Sequence, residues 1–272
     1  MDASVDDWIA QQADTEASSW ESAIARFYPE HLDVWSDPAK QVHAVTHEWN
    51  FLDALALVPW QSLIRGRELR VLDLAAGTGW LSAYLSRFDE IGAIDALDSS
   101  RSNLEIMLPG VVERMGGIAA KIRPIRALFA PLLVEDGTYD LIVASSALHH
   151  APRMADVLQE CHRVVKPGGA MVLLNETPLD TARYLYKMAR IGLGITMQSI
   201  RGTYVARSPS IASSGILYDP YLGDVAYSFD QWRSVFAQTN WSCRIIRTGL
   251  SSYKRPSPRP ARLTHFLLRP QA

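Results

Sequence analysis

The stretch Arg70-Val71-Leu72-Asp73-Leu74-Ala75-Ala76-Gly77-Thr78-Gly79-Trp80 constrains this chain more than any other. A short aliphatic run carries an acid near its end, passes through two glycines and opens into a helical pattern, Leu81 to Arg87. Such a turn presents backbone N–H groups, with little side chain in the way, at the carboxyl edge of a parallel sheet. Open α/β sheets bind their ligands at that edge, near the point where strand order reverses. A carboxylate at Asp73 repels a phosphate and favours a cation, which narrows the ligands this edge would accept.

From residue 69 onward, strand, turn and helix repeat. Strands are expected at 69–74, 91–97, near 121–126, at 139–145 and at 170–175, with helices at 79–87, 101–115 and 152–163. The last of these helices starts at Pro152, turns Met154, Val157, Leu158, Cys161 and Val165 to one side, and closes at Lys166-Pro167-Gly168-Gly169. Alternation of this kind implies parallel strands joined by right-handed crossovers, hence a doubly wound α/β sheet. Residues 228–272 add a helix with a capping-box pattern, Ser228 with Gln231, and two strands, 242–249 and 263–268, paired antiparallel at the sheet edge. Lys254, Arg255, Arg259 and Arg262, among prolines between them, read as an exposed connection.

Two segments stand outside the rhythm. Residues 4–58 read as helices. Trp8, Ile9, Trp20, Ile24, Phe27 and Tyr28 recur at helical spacing up to Pro29, and a second helix starts at Asp37-Pro38. It carries Val42, Val45, Trp49, Leu52 and Leu55 on its apolar side and ends at Pro59. Residues 177–227 are too long for an ordinary connection. They hold Tyr184, Tyr186, Met188, Met197, Tyr204, Tyr218, Tyr221 and Tyr227, a composition suited to a substrate cover or to a homodimer contact. At 272 residues and 48% hydrophobic, the chain can bury a single core holding roughly 70–75% of its unfolded surface. The 27 basic and 29 acidic residues give a net charge of −2, which disfavours nucleic acid as partner. Cys161 and Cys243 read as free thiols, and the acidic start and lack of a membrane-length apolar run lead to the expectation of a cytoplasmic protein without a membrane span.

Three stretches in this order carry a family resemblance: the glycine turn after 69–74, Asp136-Gly137-Thr138-Tyr139-Asp140-Leu141-Ile142-Val143, and Val164-Val165-Lys166-Pro167-Gly168-Gly169. Over roughly residues 69–176 the chain resembles the class I S-adenosylmethionine-dependent methyltransferases of small-molecule type, those of quinone pathways and polyketide C-methylation included. The resemblance implies a Rossmann-like sheet of seven strands with the last pair antiparallel, N-terminal helices and a lid inserted after the fifth strand. It divides a single domain into a helical lid (1–60), a cofactor core (61–176), a lid insertion (177–227) and a terminal helix with a strand pair (228–272). It implies S-adenosyl-L-methionine as cofactor, S-adenosyl-L-homocysteine as product, a small-molecule acceptor and no metal.

By that resemblance the cofactor meets Asp73, Ala75, Gly77, Thr78 and Gly79 after the first strand, Asp98 and Ser99 after the second, Leu128 and Phe129 after the third, and Ser145 after the fourth. Ala75 stands where the family pattern usually has glycine, a replacement expected to work only where φ stays negative. Asp73 is expected to set the loop by accepting hydrogen bonds or to hold the ammonium of the cofactor. Asp98, 19 residues after Gly79, suits a pair of ribose hydroxyls and also fits a dinucleotide enzyme. Leu128 and Phe129 occupy the place where the family often has an acid for the adenine amino group, so backbone groups are expected to serve there.

His149 and Glu176 end neighbouring strands, and Leu148-His149 with Leu174-Asn175-Glu176-Thr177 resembles a histidine–glutamate pair of polyketide C-methylating domains. His149 as base, oriented by Glu176, with His150 beside it, is one expectation. Histidines that merely cap the following helix or line a pocket are the other. His43 and His47, four apart on one helix side, read as surface or pocket-lining residues in the absence of a third metal ligand nearby. Methylation of a mainly apolar small metabolite at oxygen or carbon is the activity these features imply. A cofactor-binding catalyst of a non-methylating reaction and a protein methyltransferase are the alternatives.

Overall fold

Aliphatic runs that are buried on both faces make the centre of the molecule. The computed structural model describes residues 5–12, 26–27, 32–151, 153–201, 210–211, 215–219, 223–256 and 260–271. Its first strands are Asp6–Asp7 (β1), Leu69–Leu74 (β2), Ile91–Asp98 (β3), Ile122–Arg126 (β4), Tyr139–Ser145 (β5) and Val165–Glu176 (β6). Three short strands follow, Ser210–Ile211 (β7), Ile216–Asp219 (β8) and Asp224–Ala226 (β9), and then Trp241–Ser251 (β10) and Arg262–Pro270 (β11). β1 to β6, β10 and β11 form one sheet in the order β1-β4-β3-β2-β5-β6-β11-β10. β11 runs antiparallel to β6 and to β10, and the neighbouring pairs from β1 to β6 are parallel.

The chain moves from β2 outward to β3 and β4, then jumps back to place β5 beside β2. That reversal opens a crevice at the carboxyl ends of β2 and β5, where ligands of open α/β sheets bind. One apolar layer, with Tyr139, Leu158, Trp232, Phe236 and Phe266, covers one face of the sheet. The other layer, with Val45, Leu55, Trp60, Leu81 and Leu108, covers the opposite face.

The sheet has eight strands rather than the expected seven. The added one is the dipeptide Asp6–Asp7, drawn to the basic edge by Arg126 Nη1 and Arg101 Nη2, which reach Asp7 Oδ2 at 3.0 and 3.2 Å. Two residues are too few to show a period in the sequence.

The helix expected from Asp37 to Pro59 is broken. Asp37 Oδ1 accepts from the backbone N–H of Ala39 at 2.8 Å and of Lys40 at 3.3 Å, with Pro38 at the first helical position, as its sequence requires. The helix Pro38–His43 widens over Ala44–Glu48, stops at an extended Trp49 and resumes as Phe51–Leu55. At the break Trp49 pairs with Tyr253, Asn50 N–H donates to Ser252 O and Lys254 N–H donates to Glu48 O. Backbone partners from the β10–β11 connection thus replace those of the helix. Lys254 also pairs with Asp53 at 3.2 Å, so that connection is docked on the N-terminal helices and not simply exposed.

Trp20, Ile24, Tyr28, Pro29, Pro152, Tyr204, Tyr221 and Arg259 lie outside the described residues. Cys161 and Cys243 are free. Among the described residues no helix is long and apolar enough to cross a membrane. Residues 177–227 contain the 20-residue helix Thr181–Ile200 and the antiparallel sheet β7-β8-β9.

The helix Phe229–Gln238 shows how local sequence sets packing. Ser228 Oγ accepts from Gln231 N–H at 3.2 Å, and Gln231 Oε1 accepts from Ser228 N–H at 2.8 Å. This box starts the helix in the register that lays Trp232 and Phe236 on Phe266, with ring centroids 5.1 and 5.2 Å away. Ser228→Ala is therefore expected to lower unfolding free energy by about 1 kcal/mol, read as a lower urea midpoint at unchanged slope.

Candidate functional site

The loop after β2 is left-handed three times over: φ is +57° at Ala75, +54° at Gly77 and +82° at Gly79. The expectation that alanine serves at position 75 through a negative φ is thereby corrected. The close turn between β2 and the helix Trp80–Leu85 imposes the conformation, at a cost of roughly 1–2 kcal/mol for a residue with a Cβ. Gly79 has no substitute. A Cβ there would sit 2.0 Å from Leu108 Cδ1. At Gly77, by contrast, a Cβ would meet no atom within 4 Å.

Asp73 is 1% exposed and accepts from Ser82 Oγ at 2.6 Å. Burial, aided by the charge of Asp98 and opposed by the Ser82 hydrogen bond, pushes its carboxyl up to about 7. Of the two roles expected for Asp73, the contact with Ser82 matches the setting of the loop. Asp98, at the tip of β3, accepts from Gly77 N–H at 2.8 Å and Ser100 N–H at 2.9 Å, and from Asn103 Nδ2 at 3.3 Å. It ties one strand tip to the glycine loop of the next. Ser99 follows it, and its carbonyl accepts from Arg126 Nε.

The loop after β4 brings a residue that the sequence does not flag. Gln12 Oε1 accepts from Leu128 N–H at 2.8 Å, while its Nε2 donates to Leu128 O at 3.2 Å and Pro131 O at 2.8 Å. Both polar backbone groups of Leu128 are thus engaged by one side chain. Phe129 packs partly buried against the core beside them. Gln12 and Leu128 are 116 residues apart, and a lone glutamine carries no local signal.

The tips of β5 and β6 hold the most developed cluster. Glu176 is 1% exposed, and its Oε1 accepts from the N–H groups of Ala147 and Leu148, each at 3.1 Å. Its Oε2 lies 2.8 Å from His149 Nδ1. A buried carboxylate makes Nδ1 the donor, which turns Nε2 outward, 4.0 Å from Asp224 Oδ1. Burial works against the charged ring, but the charge and hydrogen bond of Glu176, with Asp224 behind them, hold the His149 pKa above its ordinary 6.5. His150 packs beside it, the two rings tilted by 44° with centroids 4.2 Å apart. Ser145 Oγ accepts from Asn175 Nδ2 at 3.0 Å.

His265 is a second residue the sequence does not flag. It is buried, its Nδ1 accepts from Asn175 N–H at 3.0 Å, and its Nε2 donates to Ala54 O at 2.9 Å. It thus supports the backbone that carries Glu176.

His149 and Glu176 open on a cavity of about 600 Å³. The walls are the start of the helix Thr181–Ile200, the strands β8 and β9, and the β10–β11 pair, with Tyr218, Tyr227, Phe229 and Trp232 as aromatic faces. Four cationic side chains also line it, Arg183, Lys187, Arg247 and Arg262, so the wall is less apolar than the tyrosine-rich sequence suggests. No described residue before position 149 lines it. His43 and His47 are exposed and stacked on each other at 4.7 Å.

The crevice suits a phosphate-free, cationic nucleoside. The carboxyl groups of Asp73 in β2 and Asp98 at the end of β3 flank its glycine loop, and Thr78 Oγ1 is buried there with no hydrogen-bond partner among the described residues. Asn175 Oδ1 is a second such atom, at the tip of β6.

Known proteins share this core. Residues 72–173 match the family model described as "Methyltransferase domain". The ubiquinone/menaquinone biosynthesis C-methyltransferase UbiE of Azotobacter vinelandii is 34% identical over 106 residues, covering 39% of this chain and 41% of that protein. Its counterpart from Salmonella arizonae is 31% identical over 147 residues, covering 51% and 58%. The chain thus spans about half the length of the curated relatives it matches. A solved SAM dependent methyltransferase from Aquifex aeolicus superposes with a TM-score of 0.52 at 15% identity, covering 89% of this chain and 99% of that one, a likeness of fold.

Asp98→Ala is expected to weaken S-adenosylhomocysteine binding by about 1.5–3 kcal/mol, since it removes the acceptor of the Gly77 N–H together with any ribose contact. Isothermal calorimetry checks this, and unchanged affinity would refute the role.

Proposed function

We propose that this chain, whose central segment is a class I S-adenosylmethionine-dependent methyltransferase domain, methylates a small-molecule acceptor at oxygen or carbon, with His149 as the base. The observation that carries this reading is the 2.8 Å pairing of His149 Nδ1 with the buried carboxylate of Glu176, beside a cavity at the strand tips. The likeness to quinone-pathway C-methyltransferases supports a small acceptor with an acidic O–H or C–H.

S-adenosylmethionine, when bound, supplies a methyl group on a sulfonium, open to in-line displacement. Gly77, Thr78 and Gly79 at the tip of β2 would hold it, and Asp98 at the tip of β3 would take its ribose. The described parts of residues 177–227, the helix Thr181–Ile200 with β8 and β9, would cover the acceptor and keep water out. The acceptor sits in the cavity against Tyr218 and Tyr227. His149 Nε2 takes the proton that the acceptor must lose, and Glu176 steadies the imidazolium that results. Holding the acceptor in the right geometry supplies most of the remaining acceleration, for which effective molarities of about 10⁵ M and above are known.

Two outcomes test this. His149→Ala is expected to lower labelled-methyl transfer by about 10²-fold or more, the scale of a lost general base, while S-adenosylhomocysteine affinity is kept. Transfer at the wild-type rate, or cofactor binding without transfer to any of a broad acceptor panel, would overturn the reading.

The pH profile gives a second check. A base works only once it is unprotonated, and Glu176 keeps the proton on His149 to higher pH than in a free imidazole. Turnover is therefore expected to rise through a pH above 6.5. In Glu176→Gln that inflection moves down, because charge and acceptor strength are both lost. For stability the sign is opposite: the protonated His149–Glu176 pair helps the fold below the unfolded imidazole pKa, and the help fades as pH rises through the raised value.

A further inference from the structure

The cavity beside His149 carries charges that the proton-transfer step does not use. Asp180 is paired with Arg247 at 3.5 Å, and Arg247 lies 4.3 Å from the centroid of Phe229. Glu176 is taken by His149, Asp224 faces the same ring, and Arg262 donates to Gly249 O. On the helix wall the balance differs. Arg183 and Lys187 are one turn apart on Thr181–Ile200, both half-buried and both lining the cavity. Among the described residues neither has a carboxylate partner, and no acid occurs along those twenty residues. Lys187 Nζ rests 4.5 Å from the centroid of Tyr218, which places its charge over an aromatic face of the cavity. Burial, then the nearby Arg183 and Arg190, hold its ammonium below the ordinary lysine value.

We propose that Arg183 and Lys187 form an anion subsite that binds a carboxylate of the acceptor, on the helix wall of the cavity that His149 opens into. The inference rests on the reading of this cavity as the acceptor site and adds a substrate class to it: an aromatic or otherwise apolar body with an ionised acid group. The guanidinium supplies a planar fork of N–H donors and the ammonium a point charge, a pair suited to one carboxylate. Tyr218 holds the Lys187 ammonium over its ring, and Tyr227 is a further aromatic residue lining the same cavity. Charge and stacking then orient the acceptor before the proton leaves it.

The probes are 2-naphthoate and its neutral isostere 2-naphthamide, titrated calorimetrically into the full chain with S-adenosylhomocysteine present. The wild type is expected to bind the acid about tenfold or more tightly than the amide, and added salt should shrink the gap, as for a partly exposed ion pair. In R183M/K187M the two affinities are expected to fall within about twofold of each other with amide binding retained, because only the charge contact is lost. The charge-keeping R183K/K187R retains the preference, which separates loss of the subsite from loss of the fold. Equal binding of acid and amide to the wild type, survival of the preference in R183M/K187M, or failure of both probes to bind would each overturn the subsite. Failure of the transferase reading shows elsewhere, as wild-type protein that does not bind S-adenosylhomocysteine.

Discussion

Three carboxyl groups near the tips of β2, β3 and β6 are buried and must be satisfied within the protein, and the order of that edge depends on how this is done. A buried charge without partners costs several kcal/mol or moves to its neutral form. Asp73 is met by Ser82, Asp98 by Gly77, Ser100 and Asn103, and Glu176 by Ala147, Leu148 and His149. Each set of donors fixes a loop. The first sets the start of the helix Trp80–Leu85, the second joins the glycine loop to the tip of β3, and the third fixes the turn after β5. Order at this edge is thus electrostatic in origin, laid on a sheet whose interior is almost wholly aliphatic.

The sheet order converts these local pins into one site. Because β5 returns to the side of β2, the glycine loop and the β5–β6 tips flank one crevice instead of lying at opposite edges. The antiparallel pair β10–β11 then adds a wall next to β6, and its connection interrupts the N-terminal helix at Trp49. A cavity with a histidine at one side and two cations on another wall follows from that closure. Backbone strain is concentrated here as well: Ala75, Ser146 and Asn175 all have positive φ, each next to a strand tip. Such conformations persist where surrounding hydrogen bonds over-determine them.

Much of the parallel core could be read from the chain before any coordinates. Apolar runs of five to seven residues and glycines at 77 and 79 are short-range signals, and the strands from Leu69 to Ser145 fall within about one residue of the ranges they indicate. The expected strand 170–175 starts earlier: Lys166-Pro167-Gly168-Gly169, read as the turn closing the helix, belongs to β6, because Val165 already pairs with Tyr139 of β5. The Ser228–Gln231 box is of the same kind, since both partners lie within one helical turn. The dipeptide strand at Asp6–Asp7 and the break at Trp49 were not legible, because each is made by a distant backbone or a distant arginine. Ala75 differs from its expected conformation for a related reason: side-chain preference argues for negative φ, and the tight strand-to-helix turn overrides it.

By itself the sequence determined which residues could end a strand on a carboxylate, where the glycine loop lies and that His149 and Glu176 belong to adjoining strands, since periodicity and turn chemistry act over a few residues. Only the tertiary structure decided that Gln12 meets Leu128 across 116 residues, that His265 supports Asn175 from 90 residues away, and that Arg183 and Lys187 look into the cavity of His149. The physical reason is the range of the forces involved. Hydrogen bonds and ion pairs act over a few ångströms, and which distant groups come that close is settled by how the layers pack.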